Sequence, residues 1–197
     1  MRNGIGQLNR TAIEFVERLL DQASRLPFLI AVDGRGGAGK STLARQIASE
    51  LGGTILQGDD FYAAMPNEAR FALSPQAGYE RLFDWRQMRK VLQALRDDRR
   101  AAFRKFDWKH DRPAQSLSEI TVEKLLIVEG VYTCRPELRD LYDVTILVST
   151  NQETCRQRVH DRGENSEAEI DMWCRAEAWY FEHVLNAGAF DIVVTAE

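Results

Sequence analysis

The octapeptide Gly34-Arg35-Gly36-Gly37-Ala38-Gly39-Lys40-Ser41 satisfies GxxxxGK[ST] in full, and the segments beside it narrow the chain to one kind of architecture. Phe28 to Val32 is a short, wholly apolar run, as expected of a parallel strand buried on both faces. Ser41 to Leu51 has helical spacing and stops at Gly52 and Gly53. Glycine permits the tight turn that aims successive amide N–H groups, from Gly37 to Thr42, at phosphate oxygens, and the positive helix end adds to the pull. The residues Gly36, Gly37, Ala38, Gly39, Lys40, Ser41 and Thr42 are therefore the expected phosphate-binding set. Lys40 would reach the terminal phosphates and the Ser41 hydroxyl would hold Mg2+. No Asn-Lys-x-Asp element follows in the later loops, so ATP is expected rather than GTP.

The remaining pattern continues this theme. Thr54 to Leu56, Leu125 to Val128, Val144 to Val148 and Phe190 to Val194 read as further strands, while Phe103 to Trp108 and Ile120 to Val122 read as short strands around a polar turn with Pro113. Helical spacing runs over Thr11 to Leu26, Tyr79 to Arg100, Asn151 to Asp161 and Ala168 to Leu185. The expected fold is α/β, a P-loop NTP hydrolase fold whose doubly wound parallel five-stranded sheet carries helices on both faces and a lid. One domain over 1–197 is expected, with an N-terminal helical appendage at 1–27, a substrate-covering segment at 101–123 and a lid at 151–165.

Composition removes other classes. A net charge of -4 supplies no global positive field, which speaks against nucleic acid as a partner. No apolar stretch approaches membrane-spanning length and the polar start, Met1 to Arg10, lacks a signal-peptide core, so neither a membrane nor export is expected. Cys134, Cys155 and Cys174 form no CxxC or Cys/His pattern, and their odd number fits a reducing, cytoplasmic setting.

Three further features carry chemistry. Asp59 and Asp60, in Gly58-Asp59-Asp60-Phe61-Tyr62, follow the second strand at the edge where an acceptor should meet the phosphates. An acid there can take a hydroxyl proton, or it can simply cap the next element. Glu129 ends the apolar strand Leu125 to Val128 beside Gly130, where a carboxylate can hold magnesium through water or merely close a strand. Arg156, Arg158 and Arg162 share one helix, with Arg158 and Arg162 on one face, which fits a lid that brings positive charge over the phosphates and fits a solvated basic face equally.

In order along the chain, GRGGAGKST, GDDFY, the FDW of Phe83 to Trp85, the FDW of Phe106 to Trp108, VEGVY and the RxxxR of Arg158 to Arg162 resemble the uridine kinase and phosphoribulokinase-like family of P-loop kinases, which includes nicotinamide riboside kinase. The resemblance covers most of the chain from Phe28 onward. It implies transfer of the γ-phosphoryl group of ATP to a hydroxyl of a small, nucleoside-like acceptor. By the same resemblance Asp59 is the catalytic base, Asp60 is linked to magnesium, Glu129 is the metal-linked acid, and Lys40, Arg158 and Arg162 are catalytic. Tyr62, Asp84, Phe106, Asp107 and His110 fall to the acceptor, Asp84 through ribose hydroxyls. From the residues alone, Trp85, Phe106 and Trp108 read equally well as core. A kinase of another small alcohol or metabolite, or a nucleotide-gated regulatory module, is also compatible. A kinase of a nucleotide or sugar phosphate would need additional cations at the acceptor site.

Overall fold

The computed structural model describes Arg2–Thr195, with side chains from Asn9 onward; the expected polar character of Met1 to Leu8 thus lies outside the described side chains. In chain order the elements are α1 Arg2–Asp21, β1 Phe28–Asp33, α2 Lys40–Leu51, β2 Gly53–Gln57, α3 Asn67–Phe71, α4 Pro75–Arg81, α5 Trp85–Asp98, β3 Arg100–Phe103, β4 Phe106–Asp107 and β5 Arg112–Pro113. They continue with β6 Ser118–Thr121, β7 Leu125–Glu129, α6 Pro136–Arg139, β8 Val144–Ser149, α7 Gln152–Asp161, α8 Glu167–His183 and β9 Ile192–Thr195.

The apolar runs make a five-stranded parallel sheet in the order β2-β7-β1-β8-β9. Alternation along its strands feeds two cores. Ile30, Val32, Ile127 and Ile146 meet Ile13, Val16 and Leu20 of α1 and Leu43 and Ile47 of α2 on one face. Leu29, Leu126 and Val128 meet Met88, Val91, Leu92 and Leu95 of α5 on the other. Register sets Val32, Gln57 and Glu129 side by side, so the loops that carry the glycine turn, Asp59 and Glu129 leave the sheet at one edge.

Several elements differ from the sequence reading. The helix expected over Tyr79 to Arg100 is two helices, because the Asp84 carboxylate accepts from Gln87 N at 2.9 Å and starts α5 anew, while Asp84 N donates to Phe61 O at 2.8 Å. The first helix runs from Arg2 to Asp21 rather than from Thr11 to Leu26, and Gln22 N and Ala23 N close its last turn on Leu19 O and Leu20 O at 3.2 Å. Phe103 to Trp108 is not one strand: β3 pairs with β6, and β4 turns back on β5, as two small antiparallel ribbons. No helix among the described residues is long and apolar enough to cross a membrane.

Asp33 locks the working edge. Fully buried at the end of β1, it accepts from Gly34 N (2.6 Å), Cys134 N (2.8 Å), Tyr132 N (3.2 Å) and the Tyr180 hydroxyl (2.9 Å). Burial pushes its carboxyl up, and the bonds from Cys134, Tyr180 and Gly34 oppose that. Asp33→Asn turns one acceptor into a donor facing N–H groups, so it is expected to cost about 1–3 kcal/mol. The check is a lowered urea midpoint at unchanged slope; an unchanged midpoint would show that Asp33 does not hold the edge.

Candidate active site

Gly37 and Gly39 stand at φ of 79° and 107° in the turn between β1 and α2. A Cβ on Gly37 would lie 2.4 Å from Cys155 O, so the turn requires glycine both for its backbone and for its space. Gly39 caps α2 without a side-chain bond, which leaves the helix's first amides to a ligand. Lys40 is buried and its Nζ donates to Arg35 O at 2.8 Å, while Ser41 Oγ donates to Glu129 Oε1 at 3.0 Å. Gly36, Gly37, Gly39, Lys40, Ser41 and Thr42 border a cavity of about 150 Å3 that Asp59, Glu129 and Arg162 also line. Ala38 is buried beneath the turn, and its amide is spent on Arg35 O at 3.1 Å.

The two acids after β2 part company. Asp59 is exposed and opens onto this cavity; the desolvation that neighbouring protein imposes pushes its carboxyl up, while Lys40 pulls it down, Asp60 pushes it up and Arg162 pulls it down. Asp60 instead accepts from Lys105 Nζ at 2.9 Å and is absent from the cavity wall, contrary to the magnesium-linked place the sequence assigns it. Burial also raises Glu129, with Lys40 opposing, Asp59 adding and the Ser41 hydroxyl opposing. Ser41 Oγ and the Glu129 carboxylate are oxygen donors suited to a hard cation. Among the described residues no group of three acids, histidines or cysteines could hold a metal alone, so phosphate oxygens and water would have to complete such a shell.

A second cavity of about 720 Å3 adjoins the first, and Gly36, Asp59 and Arg162 border both. Its wall is aromatic: Tyr62, Phe83, Trp108, Tyr132 and Trp173. Tyr62 is the centre of the cluster, with ring centroids 5.3 Å to Phe83, 5.1 Å to Phe106 and 4.7 Å to Trp108, and its hydroxyl accepts from Trp173 Nε1 at 3.0 Å. Trp108 is 49% exposed, unusual for tryptophan and suited to stacking on a planar ligand.

Of the acceptor-binding residues expected from sequence, only Tyr62 lines this cavity. Asp84 is exposed and occupied as the cap of α5, and Phe106 is buried behind Tyr62 and Trp108. Asp107 binds His110 Nδ1 at 2.7 Å, which holds its carboxyl below the usual range, and neither borders the cavity. The arginines separate likewise. Arg156 is tied to Asp171 (2.5 Å) and Glu167 (2.9 Å), Arg158 donates to Gly37 O at 3.3 Å, and Arg162 faces both cavities.

Sequence reading missed Arg70, Asn67, Asp111, Trp173 and Glu177. Glu177 is buried on α8, and its two carboxylate oxygens accept from Gly36 N at 3.2 and 3.3 Å. The available signal was an acid on the apolar face of a helix, one turn from Trp173 and near Ala176 and Tyr180.

The family model described as "Phosphoribulokinase / Uridine kinase family" matches residues 29–187. A uridine kinase of Ligilactobacillus salivarius is 27% identical over 159 residues, covering 75% of this chain and 74% of its own. A uridine kinase of Deinococcus deserti is 28% identical over 160 residues, covering 75% and 76%. Among solved structures, a "possible uridine kinase" of Bacillus stearothermophilus superposes with a TM-score of 0.71 at 18% identity, covering 93% of this chain and 97% of that one, a likeness of fold.

Proposed function

The chain belongs to the phosphoribulokinase/uridine kinase family, and from that premise we propose that it moves the γ-phosphoryl group of ATP onto a hydroxyl of a nucleoside-like acceptor seated between Tyr62, Trp108 and Trp173. Family membership makes it an ATP-dependent small-molecule kinase acting on an alcohol. The observation that supports the finer reading is the position of Asp59, on the wall shared by the glycine-turn cavity and the aromatic one.

The amides of Gly37, Gly39, Lys40 and Ser41 and the Lys40 ammonium hold the triphosphate with its terminal phosphorus toward the larger cavity. The aromatic wall takes a flat base or the apolar face of a sugar, which leaves a hydroxyl beside Asp59. Asp59, its carboxyl raised yet flanked by Lys40, accepts that hydroxyl's proton as the oxygen bonds to phosphorus and the bond to the ADP oxygen breaks. Arg162 offsets the charge spreading over the phosphoryl oxygens. Magnesium, when bound at Ser41 and Glu129, supplies further neutralisation of those oxygens. The segment 151–165 acts as the lid that excludes water, and the whole chain works as one kinase domain.

The test is ADP formation with ATP and a panel of ribonucleosides, sugars and small alcohols. A ribonucleoside is expected to stimulate turnover most. Stimulation by a non-nucleoside alcohol alone would replace the acceptor, and ATP turnover indifferent to every acceptor would support a regulatory module instead.

A further inference from the structure

The larger cavity carries an ion pair, Arg70 with Asp111, apart from Lys40, Asp59 and Arg162. Arg70, on α3, is only 4% exposed, and its guanidinium lies 5.3 Å from the centre of the Tyr62 ring. Nη1 donates to Asn67 Oδ1 (2.9 Å) and Asp111 Oδ2 (3.2 Å), while Nη2 donates to Asp111 Oδ1 (2.8 Å) and Met65 O (3.2 Å). The four terminal N–H groups are thereby engaged, and the buried Nε has no hydrogen-bond partner. Arg70 is thus a clamp whose charge is already spent, rather than a cation waiting for a phosphate.

The group left open is Asp111. Its side chain is 46% exposed, lines the cavity, and sits at a φ of 48°, a left-handed conformation that aspartate tolerates better than most residues. An ionised carboxylate offers about four acceptor positions, and the two-pronged grip of Arg70 occupies two. The others can only accept, so they select ligand groups that donate. The charges on the wall point the same way. Asp111 and Arg70 offset each other, which leaves Asp59, Glu164, Glu169 and Glu177 against Lys109 and Arg162, and Arg162 faces the phosphoryl end. A phosphate on the acceptor would enter a predominantly acidic chamber in which Lys109 alone could answer it.

We propose that Asp111, clamped by Arg70, is the specificity-determining residue of the acceptor site, binding donor groups of an uncharged, polyhydroxylated acceptor and rejecting its phosphorylated counterparts. The proposal rests on the kinase reading above and adds to it the acceptor's charge and the residue that reads it.

The experiment uses the full chain with ATP and compares ribonucleosides and free sugars with counterparts bearing a phosphate on a hydroxyl that does not react, such as nucleoside 3'-monophosphates. Wild type is expected to favour the uncharged member by about a hundredfold or more in kcat/KM. Asp111→Asn, which keeps size and surface position, should raise the KM for that acceptor about tenfold, the worth of one charged hydrogen bond, with ATP KM moving less than about twofold. Arg70→Lys, which keeps the charge and loses the two-pronged grip, should raise acceptor KM in the same direction while folding is followed by tryptophan fluorescence. An unchanged acceptor KM in Asp111→Asn, or a wild type that prefers the phosphorylated members, overturns the proposal. Absence of acceptor-dependent turnover in wild type overturns the kinase reading itself, and that result appears before any substitution is made.

Discussion

Asp59→Asn lowers kcat with the native acceptor about a hundredfold to ten-thousandfold, the span over which a positioned general base acts, while ATP KM stays within about twofold. The substitution keeps the shape of the side chain and removes its ability to take a proton. The wild-type profile should show it as well. A base works deprotonated, so kcat falls as pH drops through the Asp59 pKa, and because desolvation raises that pKa, the acid limb is expected above the ordinary aspartate value. In Asp59→Asn the limb disappears together with most of the turnover. Normal kcat in the variant would mean that the acceptor hydroxyl loses its proton elsewhere.

Arg162→Ala is expected to lower kcat about a thousandfold or more, by analogy with the scale on which a single arginine stabilises phosphoryl transfer. Its binding effect should be much smaller, because the interaction strengthens as charge spreads in the transition state. The geometry singles out this arginine from its neighbours: Arg162 borders both cavities, Arg158 reaches the carbonyl of Gly37, and Arg156 is held at the surface by Glu167 and Asp171. An equal loss in kcat and in ATP affinity would reassign Arg162 to ground-state binding.

These two residues also show what can be read from a linear chain. The glycine turn, Asp59 and Glu129 were legible because each follows an apolar strand, and parallel strands deliver their ends to one edge by rule. The sheet was legible for the same reason, its strands being uninterrupted runs such as Leu125 to Val128. The break between α4 and α5 was hidden because Phe83-Asp84-Trp85 preserves helical apolar spacing, and only the contact of Asp84 N with Phe61 O and the capping by its carboxylate reveal the stop.

The wall of the larger cavity was less legible. Tyr62 in the loop after β2, Arg70 on α3, Trp108 and Asp111 in the turn between β4 and β5, and Trp173 on α8 meet only through tertiary packing, and no local pattern records that. Motif position drew Asp84, Asp107 and His110 toward the acceptor, whereas the structure occupies Asp84 with capping and pairs Asp107 with His110. Likewise the residues alone do not tell Asp60 from Asp59, which only the family resemblance separates. Lys105, which pairs with Asp60, lies in the loop between β3 and β4.

The most direct measurement is a crystal structure of the full chain with a non-hydrolysable ATP analogue and the acceptor that stimulates turnover. The expected result is an acceptor hydroxyl within hydrogen-bonding distance of an Asp59 carboxylate oxygen, in line with the terminal phosphorus and with Arg162 turned toward it. An acceptor seated away from Asp59, with the terminal phosphate facing another part of the wall, would contradict it.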